Sequence, residues 1–168
     1  MTRHHSDELS TLFPDLGASP RPVIDYDQVF TAACGVSGRV GNFAPPDWTP
    51  DCPQCRPARE AWRHARASRL AAMLLAEAEA VEPGMWQIVE QEAGLGPVLE
   101  RAGGRIRLRA STPTRRVVDM HCFGAGIMTG CGDSTAEAIA DFGRAVQHRR
   151  QTLTQALQEL GELWPVTP

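Results

Sequence analysis

The stretch from Arg105-Ile106-Arg107-Leu108-Arg109 to Gly132-Asp133-Ser134-Thr135-Ala136-Glu137 decides the fold. Its first five residues alternate strictly. Three arginines therefore line one face of a strand, while Ile106 and Leu108 face a core. Ser111-Thr112-Pro113-Thr114 reads as a turn, Arg116 to Phe123 as a second strand, Gly124-Ala125-Gly126 as another turn, and Ile127 to Cys131 as a third strand. Which residues share a face with Cys131 depends on that last turn. A three-residue loop places Cys131 opposite Asp119, on the face of His121, and a two-residue loop places it opposite Met120, on the face of Cys122. Ser134 and Glu137 form a capping box, in which each side chain satisfies a backbone donor at the start of a helix. The seam that follows is Ile139, Phe142, Val146, Leu153, Leu157, Leu160 and Trp164. Thirty residues at 1.5 Å each make a helix of roughly 45 Å. A domain this size does not require that length, so the distal half is expected to pack on an earlier helix or on a second copy of the chain.

Upstream, Arg56-Pro57 opens another helix, with proline where its missing N–H costs nothing. Ala58 to about Val81 contains no breaker, Leu70, Leu74, Ala78 and Val81 make an apolar stripe, and Pro83-Gly84 ends the run. Residues 85–102 read as either strand or helix. Residues 1–22 read as a flexible tail whose apolar insert, Leu9 to Leu16, packs on its own domain. The expected organisation is a tail over 1–22, a zinc module over 23–66 running into a basic helix, and an α+β domain over 67–168. The fold class is α+β: a small antiparallel sheet packed on a long C-terminal helix.

Composition narrows the function. The 168 residues carry a net charge of −3, with 42 % hydrophobic and 22 % charged residues, which suits a globular chain and not a disordered one. No window reaches the 18 apolar residues of a membrane span, and the start of the chain lacks the apolar segment of a secretory signal. Five cysteines, two of them in a C-x-x-C, point to a metal site in a cytoplasmic protein more than to a disulfide framework.

The cysteines that matter are Cys34, Cys52 and Cys55. Residues 23–55 have too little apolar material for a core, and a metal would tie them down. In Cys52-Pro53-Gln54-Cys55 one turn brings two sulfurs to a single point, beside a helix N-terminus that favours thiolate. The expected cofactor is a structural zinc ion, which needs a fourth ligand. His121, Cys131 and His64 are the leading candidates. His4 and His5 could fold back from the tail, and Asp25 and Asp27 are further possibilities. A site with an open position would instead suit a metal-dependent hydrolase or deaminase, but no H-x-E or H-E-x-x-H accompanies the cysteines.

All 17 basic residues are arginine, a pattern that codon bias in a GC-rich genome explains. Residues 1–55 sum to −4, residues 56–116 to +4 and residues 117–168 to −3. Arg56, Arg59, Arg63 and Arg66 line one helix face, and Arg105, Arg107 and Arg109 line one strand face. Both arrays suit phosphate, and both could equally pair with acidic residues of the same chain.

The pattern Cys34-Gly35, then Cys52-Pro53-Gln54-Cys55-Arg56 and a basic helix, resembles zinc-ribbon and treble-clef small proteins of phage and actinobacterial type over residues 28–66. The β-β-β-α order with Gly130-Cys131-Gly132-Asp133-Ser134-Thr135 resembles a double-stranded-RNA-binding domain or a HicB-type antitoxin over residues 105–146. The positions that would grip phosphate in the former are Thr135, Ala136 and Ile139, which argues against that mode of RNA binding. These readings imply a non-enzymatic, zinc-binding accessory or regulatory protein. Its partner would be nucleic acid or a nucleic-acid-binding protein, with no role at a membrane. The rival is a protein–protein regulator that forms a homodimer through the C-terminal helix.

Overall fold

The computed structural model describes residues 2–12, 25–45, 48–89, 96–112, 115–122 and 126–163. The chain forms two compact units, residues 1–72 and 73–168. The boundary between them falls inside a helix.

In the first unit, helix α1 (Asp7–Thr11) starts at Ser6, whose hydroxyl accepts from the Leu9 N–H at 3.4 Å. Strands β1 (Val29–Thr31) and β2 (Ser37–Arg39) form an antiparallel hairpin. Gly35 lies between them at a φ of +86°, a left-handed turn that favours glycine. Single 3-10 turns follow at Val40–Asn42 and Pro53–Cys55. The core is small: Leu9, Phe30, Ala32 and Phe43 pack with Cys52 and Cys55. Phe30 and Phe43 meet edge to face at 6.2 Å, an arrangement that ring quadrupoles favour. Residues 2–12 are therefore packed and capped where the sequence suggested a tail; of the apolar insert, Leu9 is buried and Leu12 packs half-buried against the same core. Residues 13–22 of that segment lie outside the described residues.

Helix α2 (Arg56–Glu79) begins directly after the second of these turns. Leu70, Leu74 and Ala78 are buried at four-residue spacing. Val81 lies beyond the helix end and is exposed. Gly84, at a φ of +70°, turns the chain out.

In the second unit, five strands form an antiparallel meander: β3 (Trp86–Val89), β4 (Val98–Arg101), β5 (Ile106–Thr112), β6 (Arg115–Cys122) and β7 (Gly126–Gly132). The sequence left β3 and β4 undecided. Leu99, Leu108, Val118 and Gly130 stand side by side across four strands. They face Leu74 and Ala78 of α2, and Ala138 and Phe142 of helix α3 (Thr135–Leu163). A Cβ at Gly130 would overlap the backbone of Phe142, so glycine there sets how closely α3 approaches the sheet. Half of the capping box forms as expected, with Ser134 Oγ accepting from the Glu137 N–H at 3.2 Å; the Glu137 carboxylate accepts instead from the N–H of the preceding residue, Asp133, at 2.9 Å. Cys131 pairs with Val117 and shares the face of His121. That is the face a three-residue loop predicts, with the partner two positions earlier in β6, Val117 in place of Asp119. Among the described residues no helix is long and apolar enough to cross a membrane.

Candidate metal centre

Two turns and one extended segment converge in the first unit. The first turn is held by hydrogen bonds from Ala32 N–H to the Val36 carbonyl and from Gly35 N–H to the Ala32 carbonyl, and it presents Cys34. The second is closed by Cys55 N–H donating to the Cys52 carbonyl. The N-terminal segment runs between them. His4 N–H donates to the Asn42 carbonyl, Ala44 N–H to the His4 carbonyl, Ala33 N–H to the His5 carbonyl and Cys52 N–H to the Arg3 carbonyl. These four backbone bonds fix His4 beside both turns.

The result is a cluster of His4, Cys34, Cys52 and Cys55, whose ligand atoms all lie within 4.8 Å of one another. His4 Nδ1 is 3.3 Å from Cys34 Sγ and 3.9 Å from Cys55 Sγ. A tetrahedral ion with bonds of about 2.3 Å to sulfur and about 2.1 Å to nitrogen sets ligand–ligand edges of roughly 3.6–3.8 Å. The two His4 distances bracket that spacing, and none of the three sulfurs is in a disulfide. The four residues can therefore hold one metal ion. Burial pushes the Cys55 thiol up. Burial also opposes ionisation of Cys52, but the backbone N–H groups of Cys55 and Gln54 and the neighbouring sulfurs outweigh it, so its pKa is lowered.

The fourth member of the cluster is thus His4. His64 and His121 are exposed on α2 and β6, and Cys131 is half-buried on β7. None of the three belongs to the cluster. The signal for His4 was a shortage: three sulfurs and no fourth donor of comparable quality inside residues 23–55. His5, its neighbour, is fully buried and plays a different part. Its Nε2 faces the Asp7 carboxylate at 2.7 Å, and its Nδ1 is 3.5 Å from Ser10 Oγ. Burial, reinforced by the Arg59 guanidinium, lowers its pKa.

The arginines divide. Arg59 is 1 % exposed and donates through Nη2 to the Ala44 carbonyl at 2.7 Å. It is a structural residue, which corrects its place on a solvent-facing array. The guanidinium groups of Arg59 and Arg66 lie 5.5 Å and 5.3 Å from the Trp62 ring. Arg56 is exposed, with Nε donating to the Pro50 carbonyl, and Arg63 is half-buried. Arg107 on β5 and Arg105 just before it are exposed, whereas Arg109 is paired with Asp119 at 3.2 Å. Arg101 pairs with Glu82, and the buried Arg116 pairs with Glu77 through two hydrogen bonds of 2.9 Å. Arg101, Arg109 and Arg116 of the central basic stretch thus have carboxylate partners within the chain.

No protein-family model, no curated protein and no solved structure matches this chain.

Proposed function

We propose that the chain is a non-enzymatic accessory protein whose first unit is folded around a structural zinc ion and whose partner is nucleic acid. The observation that carries the reading is the four-residue cluster itself. One imidazole and three sulfurs fill a tetrahedron, which leaves no position for an activated water and suits a structural site. The ion supplies charge and cross-linking to a unit whose apolar core is too small to hold it alone. Arg56 and Arg63 on α2, Arg107 on β5 and Arg105 just before it then supply the phosphate contacts.

Metal analysis of the purified chain should find stoichiometric zinc, lost in Cys52→Ser. Anisotropy with short DNA and RNA should show affinity falling steeply between about 50 and 200 mM salt. Arg105→Gln with Arg107→Gln should lower the salt slope by about one per arginine in contact with phosphate. Binding that ignores salt would defeat the nucleic-acid reading and leave the zinc reading intact. A second reading, a regulator that binds only protein, draws support from the pairs Arg101–Glu82, Arg109–Asp119 and Arg116–Glu77. It expects no binding in the same titration.

A further inference from the structure

Helix α3 carries one apolar stripe along its whole length, but only its first half is covered. Ala138, Ile139, Phe142 and Val146 pack into the core of the second unit. On the same side, further along, Leu153, Leu157, Leu160 and Leu163 are 50 %, 70 %, 59 % and 79 % exposed. Every described residue from Gln147 to Leu163 is exposed. That is about 25 Å of helix beyond the sheet. Leu153, Leu157 and Leu160 follow the four- and three-residue spacing of a coiled-coil seam, and Val146 lies one heptad before Leu153, with Arg150 at the seam position between them.

Charge along this segment is polarised. Its start carries His148, Arg149 and Arg150 and no acid, and its end carries Glu159 and Glu162 and no base. A parallel pairing of two such helices sets like charge against like. An antiparallel pairing sets Arg149 and Arg150 of each copy beside the Glu159–Glu162 turn of the other, and beside the negative end of its helix dipole. The seam supports the same arrangement. A two-fold axis between positions 156 and 157 places Leu153 against Leu160 of the second copy, and Leu157 against Ala156, a small residue that leaves room for it.

We propose that the exposed half of α3 is a homodimerisation surface, on which a second copy of this chain packs antiparallel through Leu153, Leu157 and Leu160. The proposal depends neither on the metal nor on the nucleic-acid partner.

Sedimentation velocity of the full chain across a concentration series tests it. The wild type should be a dimer. Leu153→Gln with Leu160→Gln should raise the dissociation constant by at least about tenfold while leaving the circular dichroism of the folded chain unchanged. Arg149→Glu with Arg150→Glu should also weaken the dimer, as should Glu159→Arg with Glu162→Arg, and combining all four reversals should restore it. A wild type that stays monomeric at every concentration overturns the proposal, whatever other partner the helix has. A dimer that survives the leucine substitutions places the interface elsewhere and overturns it too. A dimer indifferent to either charge reversal is not antiparallel, and that result also defeats the proposal.

Discussion

His4 Nδ1 stands 3.3 Å from Cys34 Sγ, thirty positions away in the chain. Four backbone hydrogen bonds hold it there: the His4 N–H donates to Asn42, and the Arg3, His4 and His5 carbonyls accept from Cys52, Ala44 and Ala33. His4→Ala should lower zinc affinity by roughly 100-fold or more, beyond what losing a supporting residue outside the coordination sphere costs. His4→Cys should retain most of the affinity. Competition against a chromophoric chelator measures both, and an unchanged affinity in the alanine variant would remove His4 from the site.

Arg59 sits in the first unit with almost no exposure and donates to the Ala44 carbonyl. Arg59→Leu removes that charged donor and leaves the carbonyl to find another partner. A loss of about 2–3 kcal/mol is expected, read as a fall in the urea midpoint with an unchanged slope. Arg63→Leu, at a half-buried site, should cost less than half as much.

Gly130 and Gly143 respond in opposite directions to the same substitution. Alanine at Gly130 drives a methyl group into the backbone of Phe142. The obstacle cannot rotate away, so the cost should reach about 3 kcal/mol or more, the upper end for overpacking. Gly143 lies inside α3 with nothing within 4 Å of a new Cβ. There alanine should stabilise by roughly 0.5–1 kcal/mol through helix propensity. Thermal unfolding of the two variants checks the pair.

The Glu77 carboxylate accepts from Arg116 and from Thr135 Oγ1 at 2.6 Å, joining α2, β6 and the start of α3. Hydrogen bonding from Arg116, then from Thr135, lowers its pKa. A carboxyl group with a depressed folded value adds stability above its unfolded value and loses it as pH falls through the folded one. Between the ordinary value of 4.5 and that lower one, the unfolded chain binds the extra proton, so stability should fall as the solution is acidified. Glu82, lowered chiefly by its bond from Arg101, adds to the same slope. Glu77→Gln should cost roughly 2–4 kcal/mol at neutral pH, since it leaves the buried Arg116 charge without this counterion. It should also flatten the acid limb of the stability curve. An acid limb as steep as wild type would show that Glu77 is not responsible.

Strands β5 to β7 and the capped start of α3 were legible because their signals are local. Alternation in Arg105–Arg109 and the Ser134–Glu137 pair depend on neighbours only a few positions apart. Strands β3 and β4 were not, because four residues around Trp86 and four around Leu99 are too few to separate period 2 from period 3.6. Their identity comes from pairing with each other and with β5. The same distinction governs the site. Two sulfurs announce themselves by the C-x-x-C spacing and the third by its Cys-Gly turn. His4 lies in a polar segment without periodicity, and only tertiary hydrogen bonds bring it in. Arg59 looked like surface charge because its partner, Ala44, is 15 positions away.

The spacing of the four ligands also dictates an order of assembly. Cys52 and Cys55 are neighbours in any conformation of the chain, so an arriving ion meets them first and is held by two bonds. Reaching Cys34 closes a loop of 18 residues, and reaching His4 closes one longer still. Each closure costs chain entropy that grows only slowly with length. Uptake should therefore run in two kinetic phases, a quick capture on the local pair and a slower wrapping of the N-terminal half around it.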